Sequence, residues 1–382
     1  MLGAAGLLAG SAEILDFLLP LWAGRHLGAS ESEIGALVAT EVAVSVAARP
    51  VAGWLVDTRV RTRVALVGAV LYGLSSFGYA AATGLPLAFA AAVVGGVGGA
   101  LFWIALAALV GEWLEDDSGA FARLFSAEAT GAWAFWIPAM VLLPAVGIGG
   151  LFVGLGVACL IAAIALALVP PVPAPPRVQQ SSMREHATRL APLLWVLVLS
   201  GAAEAGAGLL VLLNLEARGL EIWQIALVFL PGGIALTVLP GHLHALAELW
   251  GRGRVYLLAS LASALTAGGL ALDPGPITMA VLWVGTGVAW ATTAPIHQAV
   301  VTELSGDRVG RGMSLSVNAG LVGAALGALG AGVAYDWGTW PLACLACAAA
   351  IVVVGVLGPK AFTRLGVRDR PTAETDPVVG SS

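Results

Sequence analysis

Glu13 and Glu204 stand at the centres of two apolar stretches, at an offset of 191 in a chain of 382 residues. A carboxyl at membrane depth is costly and usually faces a cavity or a partner. Asp16 follows Glu13 by one helical turn on the same face. Two close carboxyls in a low dielectric compete to stay ionised, which suits proton coupling or the binding of a cation in competition with protons. The bland alternative is a carboxyl hydrogen-bonded to a neighbouring helix as structural glue. Function is favoured for Glu13, because Glu204 sits at the same depth in the other half, whereas the counterpart of Asp16 is Ala207. Glu41, in the outer third of the second apolar run, and Glu128, early in the fifth, complete the acids expected to handle protons or line a substrate cavity. Proton handling is expected to centre on Glu13, with Glu204 contacting substrate. Arg49 could partner one of these acids, but snorkelling to the interface is the favoured reading.

The elements that carry these acids repeat. Gly10-Ser11-Ala12-Glu13 answers to Gly201-Ala202-Ala203-Glu204, Gly28 to Gly219, Glu33-Ile34 to Gln224-Ile225, Asp57 to Glu248, Arg61 to Arg252 and Glu112 to Glu303. One offset holding ungapped from residue 10 to about residue 64 marks a duplicated unit.

The chain is 59% hydrophobic and 11% charged, with a mean hydropathy of +0.93. A soluble domain carries roughly 25% charged residues, so most of this surface is expected to face lipid. Twelve runs are long enough to cross a bilayer as helix: 2–23, 33–56, 64–82, 86–111, 124–144, 147–169, 191–214, 222–246, 255–272, 277–301, 312–334 and 340–358. They do not alternate, which excludes a porin-like barrel. Fifteen of the 18 Lys and Arg fall in loops of one parity or in the tail; Arg25 and Arg218 alone fall in the other, and Arg49 lies inside a span. Basic residues stay on the cytoplasmic side, so both termini are placed in the cytoplasm. The first run has no basic leader and carries two acids, so it reads as a retained span and not as a signal peptide.

The expected organisation is an amino-terminal six-helix bundle over 1–169, a Pro-rich cytoplasmic linker over 170–190, a carboxy-terminal bundle over 191–358 and a disordered tail over 359–382. Glycines in span four (Gly95, Gly96, Gly98, Gly99) and span eleven (Gly320, Gly323, Gly327, Gly330, Gly332) are spaced for close helix approach. Gly285-Thr286-Gly287 lies mid-helix with no strand before it, so a nucleotide-binding reading fails. Cys159, Cys344 and Cys347 read as packing, His297 and Gln298 as polar residues of span ten with packing favoured for the histidine. Trp22, Trp54, Trp113, Trp223, Trp337 and Trp340, near span ends, read as interfacial anchors.

After span two the chain reads Gly53-Trp54-Leu55-Val56-Asp57-Thr58-Arg59-Val60-Arg61-Thr62-Arg63, with Pro50 just before. This resembles the loop 2–3 motif of the major facilitator superfamily, with Thr58, Val60 and Thr62 departing from the family's usual residues. A degenerate second copy follows at Glu248-Leu249-Trp250-Gly251-Arg252-Gly253-Arg254. The resemblance implies an all-α polytopic membrane protein of twelve transmembrane helices in two pseudo-symmetric six-helix bundles. It also implies a cytoplasmic gate at Gly53, Asp57, Arg61, Glu248 and Arg252, in which Asp57 pairs with Arg61 or with helix ends.

The function expected is secondary active transport of a small organic molecule across the cell membrane, as a multi-pass monomer working by alternating access. Proton-coupled efflux of the drug or metabolite:proton antiporter type is favoured. An uptake symporter for a sugar or other neutral metabolite is the nearest rival, and a non-transporting sensor of the same fold is another. Organic anions are disfavoured, because Arg49 is the only basic residue inside a span. No enzyme constellation, nucleotide loop, cofactor motif or nucleic-acid signature is present; the partners expected are substrate, protons and lipid.

Overall fold

The computed structural model describes residues 1–114, 117–172, 183–336 and 340–370. The core of the expected linker (173–182), Trp337 and the tail beyond residue 370 lie outside the described residues, as does the side chain of Trp223. With no water to satisfy backbone groups in lipid, apolar runs of this length close their hydrogen bonds internally as helix. The helices are α1 Leu2–Leu27, α2 Glu31–Thr58, α3 Arg61–Ala81, α4 Leu85–Gly111, α5 Ala120–Ala167 and α6 Met183–Ala217. They continue with α7 Ile222–Val238, α8 Pro240–Trp250, α9 Arg252–Leu270, α10 Pro276–Ser305, α11 Val309–Asp336 and α12 Trp340–Arg364. Among the described residues there is no strand, and nine helices are long and apolar enough to cross a membrane, ten if α7 and α8 form one bent span.

Spans five and six lie within α5, which is two helices broken at Gly147 (φ 69°, ψ 174°), at the expected boundary. One expected span shifts for a local reason. Span eight is two helices bent by 56°, because Pro240 lacks the N–H that would continue α7 and instead starts α8. At the chain end, α12 continues through Pro359 to Arg364.

The duplication is visible in the caps. α1 ends on Gly28 (φ 64°), and the chain leaving α6 turns at Gly219 (φ 74°), left-handed conformations that glycine adopts without steric cost. Ser30 and Glu33 then form a capping box on α2; Glu221 and Gln224, at the same offset, form one on α7. α3 and α9 begin at the paired arginines Arg61 and Arg252.

The chain resolves into two compact units. The first comprises Met1–Glu112, Arg123–Leu194 and Val301–Leu321; the second comprises Trp113–Ala122, Trp195–Val300 and Val322–Ser382. Each unit therefore takes a short piece of the other sequence half. In the first, Leu8, Ile14, Leu15 and Leu18 of α1 are fully buried with Phe102, Phe121 and Phe152. Trp22 joins this core at 3% exposure, its ring 5.5 Å from Phe152 and 6.0 Å from Tyr79. That corrects its reading as an interfacial anchor: the indole sits on the helix face that packs inward. In the second unit, Leu210, Val211, Leu215, Met279 and Cys344 form one buried cluster. Gly323 and Gly327 of α11 lie against the α6 backbone at Val198 and Ala202, whereas Gly320, Gly330 and Gly332 meet no neighbour and serve no close approach.

Candidate functional site

In the first unit, residues of α1, α2, α3 and α4 with Leu321 of α11 enclose a cavity of about 340 Å³. Asp16 enters from α1. Glu41, Ser45 and Arg49 enter from α2 at successive four-residue steps, a single helical stripe of carboxylate, hydroxyl and guanidinium. Tyr72 and Trp103 supply aromatic wall, and Val38, Val42 and Leu19 supply apolar wall. The stripe is held by close approach of α4. A Cβ on Gly95 would stand 2.9 Å from Glu41 Oε1, and one on Gly96 would stand 2.5 Å from the Glu41 carbonyl. The Tyr79 hydroxyl donates to Glu41 Oε2 at 3.1 Å. Asp16 lies within electrostatic range of both Glu13 and Glu41.

The other expected acids fall elsewhere. Glu13 is exposed, and it is not part of the cavity wall. Glu128 on α5 is half-buried and likewise off the wall. Glu204 belongs to the second unit, where it accepts a hydrogen bond from Ser200 Oγ at 2.9 Å. It shares a space of about 20 Å³ with Tyr256, Ser260, Ser263 and Thr293, room on the order of one water molecule. Beside it the buried Tyr256 hydroxyl meets His297 Nε2 at 2.8 Å, so this histidine is a bonded packing residue.

At the end of α2 assigned to the cytoplasm, Asp57 caps α11. Its Oδ1 accepts from the Gly310 N–H at 2.8 Å and its Oδ2 from the Arg311 N–H at 3.2 Å, with Arg311 Nε 3.6 Å away. These amides belong to the first helical turn, which has no intrahelical acceptors, and a carboxylate there also meets the positive end of the helix dipole. Of the two partners expected for Asp57, the helix end is the one bonded. Arg61 instead forms an ion pair with Glu112 at the end of α4 and donates from Nε to the Val56 carbonyl at 3.4 Å.

The degenerate copy behaves in parallel. Glu248 accepts from Ser118 Oγ at 2.5 Å, with His244 Nε2 3.4 Å away, just ahead of α5. Arg252 and Gly253, at the start of α9, donate backbone N–H groups to Asp369 at 2.7 and 2.8 Å. Residue 369 is therefore bonded into the second unit.

Tyr72, Tyr79 and Tyr256 were not anticipated from sequence. The available signal was their rarity: the chain has four tyrosines, and a phenol inside an apolar helix needs a partner for its hydroxyl. Arg49 was expected at the interface and is instead buried in the cavity wall.

A family model described as the Major Facilitator Superfamily matches residues 1–272 and 242–380. The chain belongs to this superfamily. Its fold is similar to that of solved transporter structures. The human organic anion transporter MFSD10 (TETRAN) superposes with a TM-score of 0.75 at 16% identity, over 93% of this chain and 97% of that one. The E. coli fucose:proton symporter FucP gives 0.77 at 15% identity, over 94% and 97%. A bacterial homologue of the iron transporter ferroportin, in an outward-facing state, gives 0.75 at 14% identity, over 95% and 98%. No curated protein matches the chain. At these identities the structures establish the fold alone.

Proposed function

We propose that this superfamily member is a monomeric secondary active transporter of the cell membrane, moving a small organic molecule by alternating access with protons as the coupling ion. The observation that supports this reading is the meeting of Asp16 and Glu41, from two different helices, in one cavity of about 340 Å³ with aromatic and hydroxyl neighbours. A volume of that size fits a small metabolite, and paired acids at membrane depth suit proton exchange. Asp57 on the amino end of α11 is the contact whose making and breaking would accompany the change of access. Export of substrate against entering protons is the direction proposed, following the acids of the first helix.

The test is flux in proteoliposomes under an imposed pH gradient of either sign. Asp16→Asn and Glu41→Gln are expected to lower proton-driven flux at least about tenfold, an effect of ~1.4 kcal/mol on the rate-limiting step. Glu13→Gln and Glu204→Gln, run in parallel, report whether those acids share the task. Gradient-driven flux that survives all four substitutions removes proton coupling through these acids. Substrate flux in the same direction as the proton flow, not against it, overturns the proposed exchange.

A further inference from the structure

Arg49 is 7% exposed, lies within α2, and forms part of the cavity wall. A guanidinium stays charged at any physiological pH and presents five donors. Among the described residues its single polar contact is Nη1 to Asn318 Oδ1, long at 3.5 Å, and its buried Nε has no partner. Asn318 is itself tied down, donating from Nδ2 to the Val46 carbonyl at 3.1 Å. Asp16 and Glu41 share the cavity yet neither forms an ion pair with Arg49 among the described residues. A buried cation with one weak neutral acceptor is costly unless something supplies negative charge.

The cavity says what that something is. About 340 Å³ is far more than an inorganic anion fills, and Leu19, Val38, Val42 and Trp103 give it apolar and aromatic wall. The guanidinium fork matches a carboxylate with two parallel hydrogen bonds. Glu41 and Arg49 are separated by eight residues of α2, about 12 Å of helix rise, with Ser45 between them. A molecule held by its carboxylate at Arg49 has the hydroxyl oxygen of Ser45 one turn away along α2 and the acceptor oxygens of Glu41 and Asp16 beyond it in the same cavity. We propose that Arg49 is the anion-recognition residue of this cavity, and that its ligand is a small organic carboxylate with a hydrogen-bond donor, hydroxyl or ammonium, at the far end. Arg49 is then the one basic residue a carboxylate site needs, and its solitude does not argue against an anionic substrate. That the ligand is also the transported species rests on the transporter reading; that it binds does not.

The test is ligand-induced thermal stabilisation of the purified full-length protein, with no gradient imposed. The probes are mono-carboxylates, hydroxy acids and amino acids of roughly two to six carbons, each paired with its own primary amide, at up to about 10 mM, above the usual range of transporter and enzyme half-saturation. At least one acid is expected to stabilise the wild type while its amide does not. Hydroxy acids exceeding amino acids identifies a hydroxyl at the far end, and the reverse an ammonium. Arg49→Gln is expected to weaken that acid about 100-fold and Arg49→Lys, which keeps charge but loses the fork, about tenfold. The acid–amide comparison in the wild type needs no variant, and Asn318→Ala, which leaves the guanidinium in place, is expected to keep the preference for the acid. Equal binding of acid and amide, undiminished binding by Arg49→Gln, or no stabilisation by any acid overturns the proposal. Proton-driven flux of a neutral molecule or cation with no acid preference overturns it and leaves the transport reading standing; acid binding without flux does the opposite.

Discussion

Gly53 of α2 and Gly310 of α11 lie so close that neither has room for a side chain. A Cβ on Gly53 would stand 2.7 Å from the Gly310 carbonyl, and one on Gly310 would stand 2.6 Å from the Gly53 carbonyl. Backbone cannot rotate away as a side chain can, so Gly53→Ala forces the two helices apart. The expected cost is about 1–3 kcal/mol, typical of overpacking, read as a lower unfolding midpoint of the purified protein. Gly310→Ala disrupts the same contact, so the double variant is expected to lose less than the sum of the single losses. Full additivity would show that the two glycines act separately.

The Asp57 cap depends on that approach. Asp57→Asn retains one acceptor for Gly310 but turns an N–H₂ toward an N–H of the first turn of α11. Hydrogen bonds to a charged group contribute about 1.5–3 kcal/mol. Amide hydrogen exchange of a peptide covering residues 309–313 is therefore expected to speed up about tenfold or more, with peptides of α5 unaffected. Unchanged exchange at 309–313 would mean that the carboxylate does not hold this turn.

Arg61 is 1% exposed, while its partner Glu112 is 46% exposed. Breaking a fully buried pair costs about 3–5 kcal/mol and an exposed one about 0–1. Glu112→Gln falls between them, about 1–2 kcal/mol, because water reaches the carboxylate but not the guanidinium left behind. Chemical denaturation of wild type and variant gives the difference. Reversing the roles with Arg61→Gln is expected to cost less than Glu112→Gln, since the exposed glutamate can be solvated.

Tyr79 makes a prediction separable from that for Glu41. Losing one neutral donor costs about 0.5–1.5 kcal/mol, so Tyr79→Phe is expected to slow proton-driven flux by about two- to tenfold. If the phenol acts only through the carboxylate it bonds, Glu41→Gln with Tyr79→Phe is no slower than Glu41→Gln alone. A further loss in the double variant assigns Tyr79 a role of its own.

The parts of the molecule legible in the sequence were those set by local chemistry. Gly28 and Gly219, and Glu33 and Gln224, follow the repeat that residue identity reveals, whereas the caps at Ser30 and Glu221 and the helix starts at Arg61 and Arg252, three residues ahead of the expected spans, emerge only in the structure. Asp57 was readable as an acid in need of a partner, Arg61 or a helix end, but which of the two it meets was not. Orientation about a helix axis was not readable. Trp22 and Arg49 are each near a span end, where indoles and guanidiniums commonly reach the interface, yet both point inward. Only the identity of the neighbouring helix decides that, and a helix hydrophobic on all sides does not disclose its neighbours. The bend at Pro240 was signalled by the residue itself but outweighed by the continuous hydropathy around it. Glu13 was favoured for its symmetry with Glu204, whereas Glu41, whose counterpart lacks a carboxyl, lines the larger cavity.

The exchange of short segments between the two units bears on how the protein is made. The first unit includes Val301–Leu321, so Asp57, Gly53 and Arg49 wait for Gly310, Arg311 and Asn318 until synthesis has passed residue 321. Helices generally insert and pack in the order they leave the ribosome. Here the amino-terminal unit stays unfinished until α11 has been made, with a glycine notch and the Asp57 carboxylate held open for a helix not yet in the membrane.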